Sequence, residues 1–308
     1  MSDFFLNFTI EKSKIQISHL HNLTFLGSCF SNEISTYSKE AGFRVNSNPF
    51  GTIFHPVPLA ENLNQILENT NRIEFLERDG KHYSWNTSTS VFGQTQEDLA
   101  QKIQEKSSSL RNHLSEPGIL FVTFGSAFFY ELKETGKIVA NCHKQPNHLF
   151  EKKLSEVFEL VEVWIALLEK LKKYNANLKV VFTISPVRHI RDGIVENNRS
   201  KARLIHLVEI LCMQSDATYF PSYEIMMDEL RDYRFYKQDR IHPNDEALSY
   251  IWNRFSEIYF DDKTKVLSSE FMRVRKRLAH KSDFDHFLDD KTVQLKMKLE
   301  SEFPWVQW

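Results

Sequence analysis

Two groups of residues, more than two hundred positions apart, carry the chemistry this chain can do. Leu26-Gly27-Ser28-Cys29-Phe30-Ser31 follows the apolar run 23–26, and Asp239-Arg240-Ile241-His242-Pro243 lies near the end of the globular part. A serine at the exit of a first strand, met by a late Asp-x-x-His, can form a Ser-His-Asp triad. In such a triad the imidazole takes the hydroxyl proton, the carboxylate orients the imidazole, and a poor nucleophile becomes a good one. The chemistry is acyl transfer to water or to another hydroxyl. It also needs donors for the developing oxyanion. Ser28 at the start of a helix offers its own N–H, Gly51 offers a backbone N–H that a substrate can approach closely, and Asn141 offers a side-chain amide.

Each reading has a bland competitor. Gly-Ser after a strand is commonly a turn and helix cap, Asp239 and His242 could cap the helix that follows, and loop asparagines commonly satisfy local backbone. The order of the elements is what favours chemistry. Strands are expected over 23–26, 43–45, 118–124, 178–184 and 217–220. Helices are expected over 30–41, 56–69, 95–114, 150–174, 199–214 and 244–259. The alternation predicts an α/β fold, a doubly wound, mostly parallel sheet flanked by helices. Ligands bind at the carboxyl ends of such strands. There the sequence places Ser28, the Asn48-Pro49-Phe50-Gly51 loop, Gly125-Ser126, Asn141-Cys142-His143, Arg188-His189, and Asp239 with His242. Arg188, His189 and His143 are candidate substrate-binding residues, the first two for an anionic group. Cys29, next to the nucleophile, is expected to turn away from the pocket and pack.

Asp79-Gly80 between two strand-like runs predicts a small hairpin insertion over about 73–92. The chain divides into a catalytic domain over 1–260 and a charged, helical tail over 261–308 that packs back through Phe303, Trp305 and Trp308.

Composition narrows the partners. The 308 residues carry a net charge of −2, which argues against broad phosphate neutralisation and hence against nucleic acid. No apolar run is long enough for a transmembrane helix, and residues 1–20 do not read as a signal peptide. With three cysteines lacking ligand spacing, the expectation is a cytoplasmic protein with free thiols. His55, His143 and His189 show no metal-ligand spacing, so neither metal nor cofactor is expected.

Gly27-Ser28-Cys29-Phe30, with Ser31 where the family name has alanine, resembles the GSCFA family, which is related to SGNH/GDSL-type esterases. The resemblance extends to Asn48-Pro49-Phe50-Gly51, Val139-Ala140-Asn141-Cys142-His143-Lys144, Ser185-Pro186-Val187-Arg188-His189 and Asp239-x-x-His242, about residues 20–260. It implies a bacterial protein with an SGNH-like three-layer α/β/α domain, Ser28 as nucleophile, Asp239 as orienting acid, His242 as base and Gly51 in the glycine block. Two departures stand out. Gly27 precedes the serine where SGNH enzymes have aspartate, and Gly125-Ser126-Ala127-Phe128 replaces their Gly-x-Asn-Asp, so the oxyanion asparagine must come from another loop. The expected function is a serine ester hydrolase removing O-acyl groups from a carbohydrate or small alcohol. The alternatives are an O-acyltransferase with the same triad, and a non-catalytic carbohydrate- or partner-binding protein using Tyr83, Trp85 and the hairpin. The oligomeric state is left open.

Overall fold

The computed structural model describes residues 6, 8–279 and 289–308. Readings that fall on 1–5, 7 and 280–288 lie outside them. In chain order the elements are β1 (Asn22–Gly27), α1 (Cys29–Glu40), β2 (Arg44–Ser47), α2 (Pro56–Glu68), β3 (Phe75–Arg78) and β4 (Lys81–Ser84). Next come α3 (Gln96–Ser115), β5 (Gly118–Phe124), β6 (Phe128–Leu132), β7 (Ile138–Val139) and β8 (Phe150–Leu154). The chain continues through α4 (Val157–Tyr174), β9 (Leu178–Ile184), α5 (Ile194–Gln214), β10 (Thr218–Phe220) and α6 (Ser222–Glu224), and closes with α7 (Asp245–Tyr259), α8 (Asp262–Ala279) and α9 (Asp290–Glu302).

Five parallel strands form the central sheet in the order β10-β9-β5-β1-β2. Numbered along the chain within the sheet, this is the doubly wound order 2-1-3-4-5, and its topological switch point lies between β1 and β5. Both faces are covered, so the central strands are apolar throughout rather than alternating. Leu120, Val122, Phe124, Val180, Phe182 and Ile184 point into one core with α2, α3, α4 and α5. Leu23, Phe25, Ile119, Phe121 and Val181 point into the other, against α1 and α7. The result is a three-layer α/β/α sandwich.

The hairpin is present: β3 and β4 pair antiparallel, and Asp79 (φ 52°) and Gly80 (φ 69°) make the turn. One segment differs from expectation. Residues 150–154 form strand β8 rather than the first turn of a long helix, and α4 starts only at Val157. Strand β8 pairs antiparallel with β6, which pairs with β7, making a small three-stranded sheet beside the main one. The reason is pairing. Phe150-Glu151-Lys152-Lys153-Leu154 has no helical apolar stripe of its own, and the exposed partner β6 supplies a ladder. In the tail, Phe271, Val274, Leu299 and Phe303 form a separate apolar cluster with Trp305 and Trp308 against it. Trp305 Nε1 donates to the Gly42 carbonyl at 3.2 Å, and the Arg44 guanidinium lies 3.9 Å from the Trp305 ring centre, so the tail is joined to the β2 side of the sheet.

Candidate active site

Ser28 sits where β1 turns into α1. Gly27 makes the turn possible: its φ is +122°, and a Cβ there would lie 2.0 Å from the Thr123 carbonyl oxygen of β5. Ser28 is the N-cap of α1, fully buried, and its Oγ accepts from the Phe30 N–H at 3.3 Å. The Asn48 side chain pins this turn. Its Oδ1 accepts from the Gly27 N–H at 2.8 Å, and its Nδ2 donates to Asn32 Oδ1 at 2.8 Å and to the Ser28 carbonyl at 3.4 Å. To do so Asn48 adopts a left-handed backbone, φ 39°, which asparagine tolerates. Ser31, one turn into α1, lies 2.7 Å from Thr123 Oγ1 and bonds the Leu26 carbonyl, tying the helix to β5.

Asp239 and His242 are the other two candidate residues. His242 Nδ1 lies 2.7 Å from Asp239 Oδ2, while Asp239 Oδ1 accepts the N–H groups of Ile241 and His242 at 2.8 and 3.0 Å. Arg240, with φ 61°, makes the tight turn between them. The two backbone donors and the imidazole hold the Asp239 carboxyl down at about 2, so it is anionic throughout the physiological range. The loop faces α1: Lys237 and Glu33 approach to 3.5 Å, and a charge on His242 is felt at His189. Among the described residues no direct Ser28–His242 hydrogen bond is formed.

The proposed oxyanion donors fare differently. The Ser28 N–H already donates to the Thr123 carbonyl at 3.1 Å, and the Gly51 N–H to the Asn48 carbonyl at 2.8 Å. Both stabilise the turn rather than standing free, because closing each loop leaves a strand-end carbonyl that needs a donor. Gly51 (φ 75°) presents its Cα face to Ser88, and a Cβ there would meet Ser88 Oγ at 1.8 Å. Residues 88–90, in the segment following the hairpin, connect that wall to Asn141, whose Oδ1 accepts from Thr89 Oγ1 at 3.2 Å and from the His143 N–H at 2.7 Å. Its carboxamide oxygen is thus fixed within its own loop.

Of the substrate-binding candidates, Arg188 is the open one. It is half-buried, donates to Met227 Sδ at 3.0 Å, and lies beside the Tyr223 and Tyr236 phenols. Among the described residues it has no carboxylate partner. His189 packs edge-on to Phe54 at 5.0 Å, and burial, with the Lys201 charge second, lowers its pKa to about 4, so it is neutral and brings no charge to an anion. His143 is fully buried, its Nε2 2.8 Å from the Ser84 carbonyl and its ring against Tyr83 and Trp85. That is a packing position within the small-sheet region. His55 is likewise interior, capping α2 through Val57 N–H and meeting Ser155 Oγ at 2.8 Å. Among the described residues no three His, Cys, Asp or Glu side chains are grouped as a metal site would need.

Cys29 is the residue next to Ser28. It is half-buried rather than sealed, and it lies close enough to Lys201 for the two to influence each other's charge, with burial pushing the thiol up. Lys201 itself was not foreseeable from the sequence. It comes from α5, is completely buried, and reaches the ends of β5 and β9. A separate cavity of about 240 Å³ lies between α4 and α5 at the amino ends of β9 and β10, away from all of these residues.

The profile of the GSCFA family matches residues 22–255, from the first residue of β1 into α7. The chain belongs to the GSCFA family. That match spans every element that carries a candidate residue. Among solved structures, this GSCFA protein is similar to an acetyl xylan esterase (Est2A) from the rumen bacterium Butyrivibrio proteoclasticus. The identity is 11%, the TM-score 0.37, and the alignment covers 77% of this chain and 62% of that one. The GSCFA chain thus spans less than two thirds of that enzyme's length. A comparison with curated protein sequences finds no match. No helix among the described residues is long and apolar enough to cross a membrane.

Proposed function

We propose that this GSCFA protein is a serine ester hydrolase of the SGNH type, with Ser28 as nucleophile, His242 as base and Asp239 as the group that orients the base and stabilises its protonated form. The observation that carries this reading is the Asp239–His242 pair at 2.7 Å, held on a loop that approaches α1, the helix Ser28 caps. With its Nδ1–H donated to the carboxylate, the His242 ring presents Nε2 as the acceptor.

In the reaction, His242 Nε2 takes the Ser28 hydroxyl proton as Oγ attacks the ester carbonyl. The tetrahedral intermediate collapses as His242 returns that proton to the leaving alcohol, and Ser28 is left acylated. Water then attacks the acyl carbonyl as the same imidazole takes its proton; the bond to Ser28 Oγ breaks, that proton passes to Oγ, and the acid is released. Ser28 Oγ must leave its capping position to attack, and this frees the Phe30 N–H at the positive end of α1. The helix terminus then supplies a donor to the oxyanion in place of the committed Ser28 and Gly51 N–H groups. The substrate class is an O-acylated carbohydrate or small alcohol, and Arg188 with its flanking tyrosines is positioned to receive a polar or anionic substituent. Fluorophosphonate labelling at Ser28, followed by a panel of short acyl esters, tests the reading. Absence of both labelling and turnover in the folded protein contradicts it.

A further inference from the structure

Lys201 has no part in the chemistry above, yet it is buried at the carboxyl ends of β5 and β9. The side chain is 1% exposed. Its Nζ donates to the Gly125 carbonyl at 2.8 Å and to the Ser185 carbonyl at 2.6 Å, the residues that immediately follow β5 and β9. The ring of Tyr223 in α6 lies 5.8 Å away, and Cys29 of α1 and His189 after β9 interact with its charge. Glu33 and His242 stand behind those two, acting on Cys29 and His189 respectively. No carboxylate pairs with Lys201 among the described residues, and its third N–H has no acceptor among them.

A buried ammonium without a counter-ion is costly, and two neutral carbonyls offset only part of that cost. What would offset the rest is a full negative charge forming nearby. Gly125 begins the Gly125-Ser126-Ala127-Phe128 loop, the block in which SGNH enzymes carry an asparagine donor and this chain has none. Strand β5 is hydrogen-bonded to β1, whose end bears Ser28.

We propose that Lys201 is an electrostatic positioning residue for the Ser28 reaction: it clamps the ends of β5 and β9 and supplies, from below, the positive field that stabilises the oxyanion in place of the absent asparagine. This rests on Ser28 being the nucleophile. Burial lowers the Lys201 pKa to about 7, with Cys29 opposing that shift, so the cation is present below that pH and is lost above it. The acylation step therefore gains a falling limb on the alkaline side that no purely structural lysine would produce.

The test is the rate of Ser28 phosphonylation by a fluorophosphonate across ~pH 5 to 9, in the full-length wild type, Lys201→Met and Lys201→Arg. The wild-type rate should fall above neutrality. Lys201→Met should react about 10²-fold more slowly in acid and show no such fall, as expected for loss of one oxyanion-stabilising group. Lys201→Arg, which stays charged, should hold its rate at high pH. A folded Lys201→Met that reacts at the wild-type rate with the wild-type profile overturns the proposal. If Lys201→Met does not fold, Lys201→Arg decides: a retained alkaline fall overturns the proposal and its disappearance supports it. A wild type that is never labelled at Ser28 overturns the serine-hydrolase reading and this proposal together. A labelled wild type with a lysine-independent profile overturns this proposal alone.

Discussion

His242 Nδ1 sits 2.7 Å from Asp239 Oδ2, and the other oxygen of the same carboxylate takes two backbone N–H groups of the turn between them. The carboxylate therefore does two jobs, shaping the turn and fixing which ring nitrogen bears the proton. Asp239→Asn separates them. An amide oxygen can still accept the Ile241 and His242 N–H groups, but the negative charge is lost and the ring can adopt the wrong tautomer. Ester turnover should fall about 10³- to 10⁴-fold. The melting temperature should change little, because Asp239 is exposed. Steady-state kinetics and a thermal melt on one sample check both halves, and a large drop in melting temperature with unchanged kcat would point to the capping role alone.

Ser28→Ala removes a helix cap and, on the proposed reading, the nucleophile. The cap bond is long, 3.3 Å to the Phe30 N–H, so its loss should cost no more than about 1 kcal/mol, a typical value for an N-cap. Activity should disappear while urea unfolding shifts slightly. Loss of folding with no prior activity to lose would favour Ser28 as a structural cap.

Asn48 should matter for both stability and rate. Asn48→Ala releases the Gly27 N–H and the Asn32 carboxamide, with an expected cost of about 1–3 kcal/mol for the bonds broken. It also leaves a β-carbon on a left-handed backbone that alanine tolerates less well. Asn48→Gly relieves the backbone but not the lost bonds, so it should recover only part of the stability. Comparing the two by chemical denaturation separates strain from hydrogen bonding. Recovery to wild-type stability in Asn48→Gly would show that the side-chain bonds contribute nothing.

Much of this was readable in the chain. The strand–helix alternation, the Asp79-Gly80 hairpin and the Asp-x-x-His turn all follow from local rules: buried parallel strands are apolar throughout, Asp-Gly permits positive φ, and a short spacing brings an aspartate to a histidine. What could not be read depends on contacts distant in sequence. Strand β8 exists because β6 offers it a partner, and the Lys152-Lys153 pair inside it disguises that. Lys201 follows Arg199 and Ser200 in a polar stretch of α5, and only packing shows that it is buried. The Ser28 and Gly51 N–H groups looked free from their position, and only the folded loops show their acceptors.

Lys201 also makes a stability prediction independent of activity. Its pKa is near 10.4 in an unfolded chain and about 7 in the fold, so between those values the unfolded state binds more protons. Stability should therefore rise with pH across that window, by on the order of 5 kcal/mol if the full shift is realised. Below it, both states are protonated and the penalty is constant. Urea titrations of wild type and Lys201→Met at several pH values isolate the effect: the variant should be relatively more stable in acid and lose the rise. Parallel curves for the two proteins would show that Lys201 does not titrate in this range.

Activation of Ser28 by His242 is tested most directly by treating the folded, full-length protein with a fluorophosphonate and mapping the modified peptide by mass spectrometry. A single adduct on Ser28 is expected, absent in Ser28→Ala and strongly slowed in His242→Ala. No adduct on Ser28, or an adduct that persists in Ser28→Ala, contradicts it.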